Sequence, residues 1–245
     1  DGANNSNTAV ISLTITNDQG GVTYNELSNP LALDGNASDW ANVVRFNTDP
    51  DDISGPNETI NWRSAAIAHD TQFVHMLYES YNAIDANNST GDYLPWGWQV
   101  YLDTDKNSST GFRVGNIGAD YIIEGQAIHR YAGLGTNWNW ENIGVAERQY
   151  ANNIAELRFP RSLIGNPDSL RLLIRGVNIA VGGTLIDYYP DGQNDQSNSE
   201  QVFKYEFTNG AYSDGRPLAS AQSLSTNSGS SLSLILSGND ASTNA

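Results

Sequence analysis

Short segments in which apolar and polar residues alternate, each closed by Gly, Asn, Asp or Pro, follow one another along this chain. Residues 10–16 alternate with period two and end in Asn17-Asp18-Gln19-Gly20-Gly21. Runs of the same kind occupy residues 64–69, 73–80, 98–102, 119–124, 154–159, 170–177, 184–188 and 202–207. A period of two sends successive side chains to opposite faces of a strand, so each run has one apolar face to bury. Many short strands separated by turn residues predict an all-β fold, an antiparallel β-sandwich of jelly-roll or immunoglobulin-like type with little helix. One helical turn is expected at residues 160–165, stopped by Gly165. Residues 1–25 read as an N-terminal strand or linker and residues 26–212 as the sandwich. Residues 213–245 read as a Ser/Gly-rich tail with one further strand at 231–236.

Charge narrows the partners. Twelve basic residues against twenty-eight acidic ones give a formal net charge of −16. Such a field repels nucleic acid and anionic membrane surfaces and attracts cations, calcium above all. No apolar run approaches the roughly 18 residues that cross a bilayer, so membrane insertion is not expected. The chain has no cysteine, which removes disulfides, thiolate metal sites and thiol nucleophiles together. An acidic, cysteine-free chain rich in Asn, Gly and Asp is expected to be an exported bacterial protein, secreted or held at the cell surface. It opens without a basic, then apolar, leader pattern; the polar stretch 1–8 suits a mature protein whose leader has been removed.

The most specific local signal is Leu102-Asp103-Thr104-Asp105-Lys106-Asn107-Ser108-Ser109-Thr110-Gly111. Oxygen ligands at every second residue converge when the backbone curls, which suits a hard cation. Ser108 and Val114 stand where an EF-hand needs Gly and Glu, so this is not that motif. The expected structural calcium would take Asp103, Asp105 and Asn107, with Asp120 and Glu124 from the following strand. The plainer reading is a polar hairpin whose Asp and Asn serve the turn. A second acidic stretch, residues 187–195, reads as a solvated turn.

Six tryptophans are the second feature. Trp138 and Trp140 share a strand face by spacing, within a Gly- and Asn-rich stretch that offers little to bury them. Exposed indoles match the apolar face of a pyranose while neighbouring polar groups bond its hydroxyls. Trp138 and Trp140 are therefore sugar-binding candidates, joined by Trp96, Trp62, Arg130, Tyr131 and Tyr189. The competing reading is that the rings fill the sandwich, as is expected of Trp40 and Trp98. No catalytic residue is assigned. The rival enzyme reading, a polysaccharide lyase or hydrolase, would use His129 or Tyr131.

In order, Leu33-Asp34-Gly35 to Asp39-Trp40, residues 73–78, Gln99 to Asp105 with Thr110-Gly111, Gly118-Ala119-Asp120-Tyr121, Ala155 to Ser162 and Asp187-Tyr188-Tyr189-Pro190 resemble family 9 carbohydrate-binding modules and the broader DOMON-like sandwiches. The likeness spans residues 31–207. It implies a non-catalytic sandwich, with bound calcium, that clamps a polysaccharide or oligosaccharide between aromatic rings and is appended to a catalytic domain of the same parent chain. Haem-binding members of that superfamily imply a lesser alternative, in which Met76 and one histidine would be axial ligands.

Overall fold

The computed structural model describes residues 21–46, 48–53, 61–84, 98–177, 186–191 and 202–209, with the backbone of two short pairs further on. Two compact units are present, Gln19–Tyr212 and a smaller one made of Asp1–Asp18 with Ser213–Ala245. In the smaller unit Leu218–Ala219 pairs antiparallel with Gly238–Asn239. The expected strands at residues 10–16 and 231–236 lie outside the described residues.

The larger unit is a β-sandwich. In chain order its strands are β1 (Val22–Thr23), β2 (Trp62–His69), β3 (Phe73–Ser80), β4 (Trp98–Asp103), β5 (Phe112–Val114), β6 (Ile117–Ala119), β7 (Tyr121–Glu124) and β8 (Ala127–Tyr131). There follow β9 (Trp140–Val145), β10 (Glu147–Ala151), β11 (Ile154–Pro160), β12 (Ser169–Val177), β13 (Ile186–Tyr189) and β14 (Phe203–Glu206). The large sheet runs β1-β14-β12-β4-β7-β8-β9, with β13 also pairing to β12; the small sheet runs β10-β11-β3-β2. All pairs in both sheets are antiparallel except β1 with β14.

Alternation decides which side chains enter the core. Val74, Met76 and Tyr78 of β3 and Ala155, Leu157 and Phe159 of β11 face Val100 and Leu102 of β4 and Leu170, Leu172 and Ile174 of β12, all buried in one cluster. The only helical element among the described residues is a 3-10 turn, Arg161–Ile164. It is stopped by Gly165 at φ 80°, a left-handed conformation in which any side chain would be strained.

Each sheet also has a covered outer face. Over the small sheet, Trp40 packs with Ala66, Ala68 and Leu77. A single acid holds that cover down. Glu156, fully buried, accepts hydrogen bonds from Asp34 N (3.0 Å), Gly35 N (2.6 Å) and the Trp40 indole (2.7 Å). Over the large sheet, the β5–β6 hairpin lays Phe112, Val114, Ile117 and Ala119 against Tyr101, Ile122 and Leu173. Gly118 of β6 lets the preceding loop approach the hairpin, since a Cβ there would meet Thr110 O at 1.8 Å and Asn107 O at 2.6 Å.

Candidate functional site

The loop leaving β4 is tied by its own polar side chains. Asp105 accepts from Asn107 N (2.8 Å) and from the Thr110 hydroxyl (2.8 Å), and Asn107 Oδ1 accepts from Ser109 N (3.0 Å). Asp120, just before β7, gathers the loop's start: its Oδ2 accepts from Thr104 N (2.8 Å), Thr104 Oγ1 (2.7 Å) and Asp105 N (3.2 Å). Asn107 is thus used inside the loop. The structure brings together Asp103, Asp105 and Asp120, one oxygen of each lying within 4.8 Å of the others.

Asp103 is the telling member. It is fully buried, and Arg171 of β12 reaches only its Oδ2, from Nε (3.1 Å) and Nη2 (2.5 Å). Its Oδ1 is buried with no hydrogen-bond partner. Burial pushes this carboxyl up to about 6 despite the guanidinium. An orphaned carboxylate oxygen beside two further carboxylates, with no nitrogen or sulfur donor in the set, has the chemistry of a calcium-class site.

Glu124 is not part of it. It stands at the other end of β7, roughly 13 Å along the strand at about 3.3 Å per residue, and its Oε1 accepts from Gln99 Nε2 (2.8 Å). There it joins a polar row across the large sheet's outer face. Arg175 Nε (2.7 Å) and the Tyr101 hydroxyl (2.9 Å) both donate to Gln99 Oε1, and His129 Nε2 lies 3.9 Å from Glu124 Oε2. Burial, partly offset by Gln99, holds the Glu124 carboxyl above its usual range.

Asp105 and Asp120 open onto a cleft of about 440 Å³ whose other wall includes Tyr121, Arg130 and Tyr131. Arg130 is exposed and donates to Glu141 (2.7 Å) across the β8–β9 pair. Tyr131 pairs in register with Trp140, and the two rings lie 4.9 Å apart. Phe112 and Trp138 complete an aromatic stack: Trp138 stands edge-on to Phe112 (5.2 Å, 89°) and to Trp140 (5.7 Å, 71°). Trp138 is 49% exposed, while Trp140 and Tyr131 are half-buried. The arrangement presents an indole to water on a cluster whose Tyr131 lines a polar cleft, and such a surface can stack on apolar C–H groups and bond hydroxyls.

Several expectations are corrected. Trp62 is fully buried and Tyr189 is 1% exposed; both belong to the core between the sheets and present no surface to a ligand. Trp96 lies outside the described residues. Asp187, read as part of a solvated turn, is 2% exposed and accepts from Trp62 N. Met76 is 1% exposed, and its sulfur accepts from the Tyr78 hydroxyl (3.1 Å) inside the core, which leaves it no place on a haem. The Tyr131 hydroxyl donates to the carbonyls of Asn137 (2.9 Å) and Gly135 (3.1 Å), so its proton is held by the protein. Phe112, Arg171 and Gln99 were missed. Arg171 and Arg175 did leave a signal, as charges spaced four apart inside an apolar strand, on the face opposite Leu170, Leu172 and Ile174.

No family model matches the chain, and no curated protein matches it. Among solved structures, the chain is similar to a family 9 carbohydrate-binding module from Caldicellulosiruptor kristjanssonii in complex with glucose. The identity is 12%, over 76% of this chain and 93% of that one, with a TM-score of 0.41. It is also similar to a family 9 module from that organism in complex with cellotriose, at 12% identity over 82% of this chain and all of the other, with a TM-score of 0.43.

Proposed function

We propose that this chain is a non-catalytic carbohydrate-binding β-sandwich, exported from a bacterial cell, with a structural calcium held by Asp103, Asp105 and Asp120. The observation that carries the sugar reading is Trp138, half-exposed on an aromatic cluster whose Tyr131 lines a polar cleft. Leaving an indole in water is unfavourable without a partner, and a pyranose C–H face is a partner of matching shape and polarity. Trp138 and Trp140 are inclined by 71°, so they do not form one continuous platform. One sugar ring stacks on Trp138, with polar groups of the cleft that Tyr131 lines bonding its hydroxyls.

Calcium bound to three carboxylates would supply the counter-charge that the buried Asp103 Oδ1 lacks. The chain's own part is to present those oxygens. Asp120 draws Thr104 and Asp105 inward, Arg171 fixes Asp103, and Gly118 lets the loop lie against β6. Binding without chemistry is supported by Tyr131, whose hydroxyl is committed to backbone carbonyls.

Affinity electrophoresis against a panel of neutral and acidic polysaccharides tests the reading. Trp138→Ala is expected to lose the retardation shown by the parent protein while its thermal melt stays close to the parent's. Equal retardation of variant and parent sinks the assignment to this stack. Incubation with the retarding polysaccharide should release no new reducing ends and no unsaturated product; either one would restore the enzyme reading.

A further inference from the structure

A second group of buried acids lies at the start of β2, well apart in sequence from the loop after β4. Asp49 runs alongside that strand, its N–H donating to Arg63 O (3.0 Å), while the Tyr81 hydroxyl donates to Asp49 O (2.5 Å). Asp187 of β13 reaches the same place, its Oδ2 accepting from Trp62 N (2.8 Å). Asn61, the residue before β2, donates through Nδ2 to Asp51 Oδ1 (2.8 Å) and Ile53 O (3.1 Å). All three side chains are inside the protein: Asp49 and Asp187 are each 2% exposed and Asn61 is fully buried.

Two of the three carry an oxygen that no donor reaches. Asp49 Oδ2 and Asn61 Oδ1 are buried with no hydrogen-bond partner. Among the described residues no ion pair reaches Asp49 or Asp187. The guanidinium of the adjacent Arg63 is turned to Glu79 (3.0 Å). Asp52 and Asp191 add negative charge close by. With no counter-charge, burial and then Asp187, Asp191 and Asp52 push the Asp49 carboxyl up to about 9. Burial, opposed by the Trp62 N–H, pushes Asp187 up to about 7. Orphaned acceptors and buried carboxylates without a counter-charge carry a large desolvation cost, which a bound cation removes.

We propose that Asp49, Asp187 and the amide oxygen of Asn61 form a second divalent cation site of calcium class, separate from the one at Asp103. The donor set is oxygen alone, which suits calcium and offers nothing to zinc or copper. A cation here would fasten three segments that are distant in sequence: the 48–53 segment, the start of β2, and β13.

The test is calorimetric titration of the chelator-stripped full chain with calcium, in the parent and in two single variants. The parent should bind two calcium ions. Asp49→Asn should bind one, and Asp120→Asn should bind one through the remaining site. A thermal melt supplies a second, crossing readout. Without calcium, Asp49→Asn should melt above the parent at neutral pH, because the cost of burying and protonating that carboxyl is gone; with calcium it should gain less than the parent does. Circular dichroism establishes that each variant is folded. Should Asp49→Asn not fold, Asp187→Asn, which retains an oxygen for the Trp62 N–H, takes its place. The proposal is overturned if the folded variant binds as many calcium ions as the parent, or if the parent binds a single ion that Asp120→Asn abolishes.

Discussion

Replacing Glu156 by alanine removes the group that holds the cover over the small sheet, and the structure sets the size of the effect. Three N–H groups end on this carboxylate: Asp34 N, Gly35 N and the Trp40 indole. Asp34 N is only partly buried and can turn to water. Gly35 N and the Trp40 indole lie in buried hydrogen bonds. Each buried donor left without an acceptor costs ~1–3 kcal/mol, so the pair costs ~2–6 kcal/mol. Relief of the carboxylate's own desolvation pulls the net toward the lower half, ~2–4 kcal/mol. That is a large share of the ~5–15 kcal/mol that holds a domain folded. Urea unfolding followed by tryptophan fluorescence reads it out, with a lower midpoint at unchanged slope. Glu156→Gln keeps one acceptor oxygen and should fall between parent and alanine variant. Polysaccharide retardation should survive in the folded protein, because Trp138 belongs to the other sheet's outer face. A loss below ~1 kcal/mol for Glu156→Ala would show that the clamp geometry is not what secures Trp40.

Three further outcomes are expected. Asp103, Asp187 and Asp49 have folded-state pKa values raised to about 6, about 7 and about 9, against ~3.9 in an unfolded chain. The stability they contribute is therefore full below about pH 4 and lost as pH rises through those three values. In excess chelator the melting temperature should fall between about pH 5 and about pH 9, and a flat profile would contradict the buried carboxylates. At neutral pH, chelation should lower the melting temperature of the calcium-loaded parent by ~5–10 °C, which corresponds to ~2.7 kcal/mol for a ligand at a hundredfold excess over its Kd; an unchanged melt removes the cation. Gly118→Ala has no room for its methyl against Thr110 O, so the 103–110 loop must lift. Calcium affinity measured by titration should drop at least tenfold, ~1.4 kcal/mol, and an unchanged affinity would mean the loop adapts.

How much of this was legible in the sequence follows from where each strand sits. Strands β3, β4, β11 and β12 lie inside their sheets with one face on the common core, and their apolar positions alternate plainly. Strands β8, β9 and β10 were not recognised. β9 and β10 are sheet edges with mostly exposed or half-buried side chains, so no burial pressure writes a period into them. Asp103, Asp105 and Asp120 could be found from spacing alone, because the loop's own hydrogen bonds are local. Glu124 misled for the same reason: nearness in sequence along β7 says nothing about which end of the strand points where. Trp62 and Tyr189 show the limit for aromatics. Nothing local distinguishes an indole that fills the core from one that meets water, whereas Trp138 sat among Gly and Asn with nothing nearby to bury it. Asp49 was invisible, since its burial depends on partners from β2 and β13 more than a hundred residues apart.

The buried carboxylates give the two proposed cations one electrostatic rationale. At the loop after β4, three carboxylates and the guanidinium of Arg171 leave two uncompensated negative charges, the number that one divalent ion cancels. At the start of β2, two buried carboxylates meet no ion pair among the described residues and hold their protons to higher pH; one divalent ion displacing those protons would leave the pair neutral. The first of these sites forms one wall of the cleft that Arg130 and Tyr131 complete. Occupied by the proposed cation, that wall carries no net charge and suits the hydroxyls of a neutral sugar; with Asp105 and Asp120 bare, it would hold water tightly and repel any acidic glycan. The proposed cation and the proposed glycan would therefore be coupled through the electrostatics of one wall, without the ion having to touch the sugar.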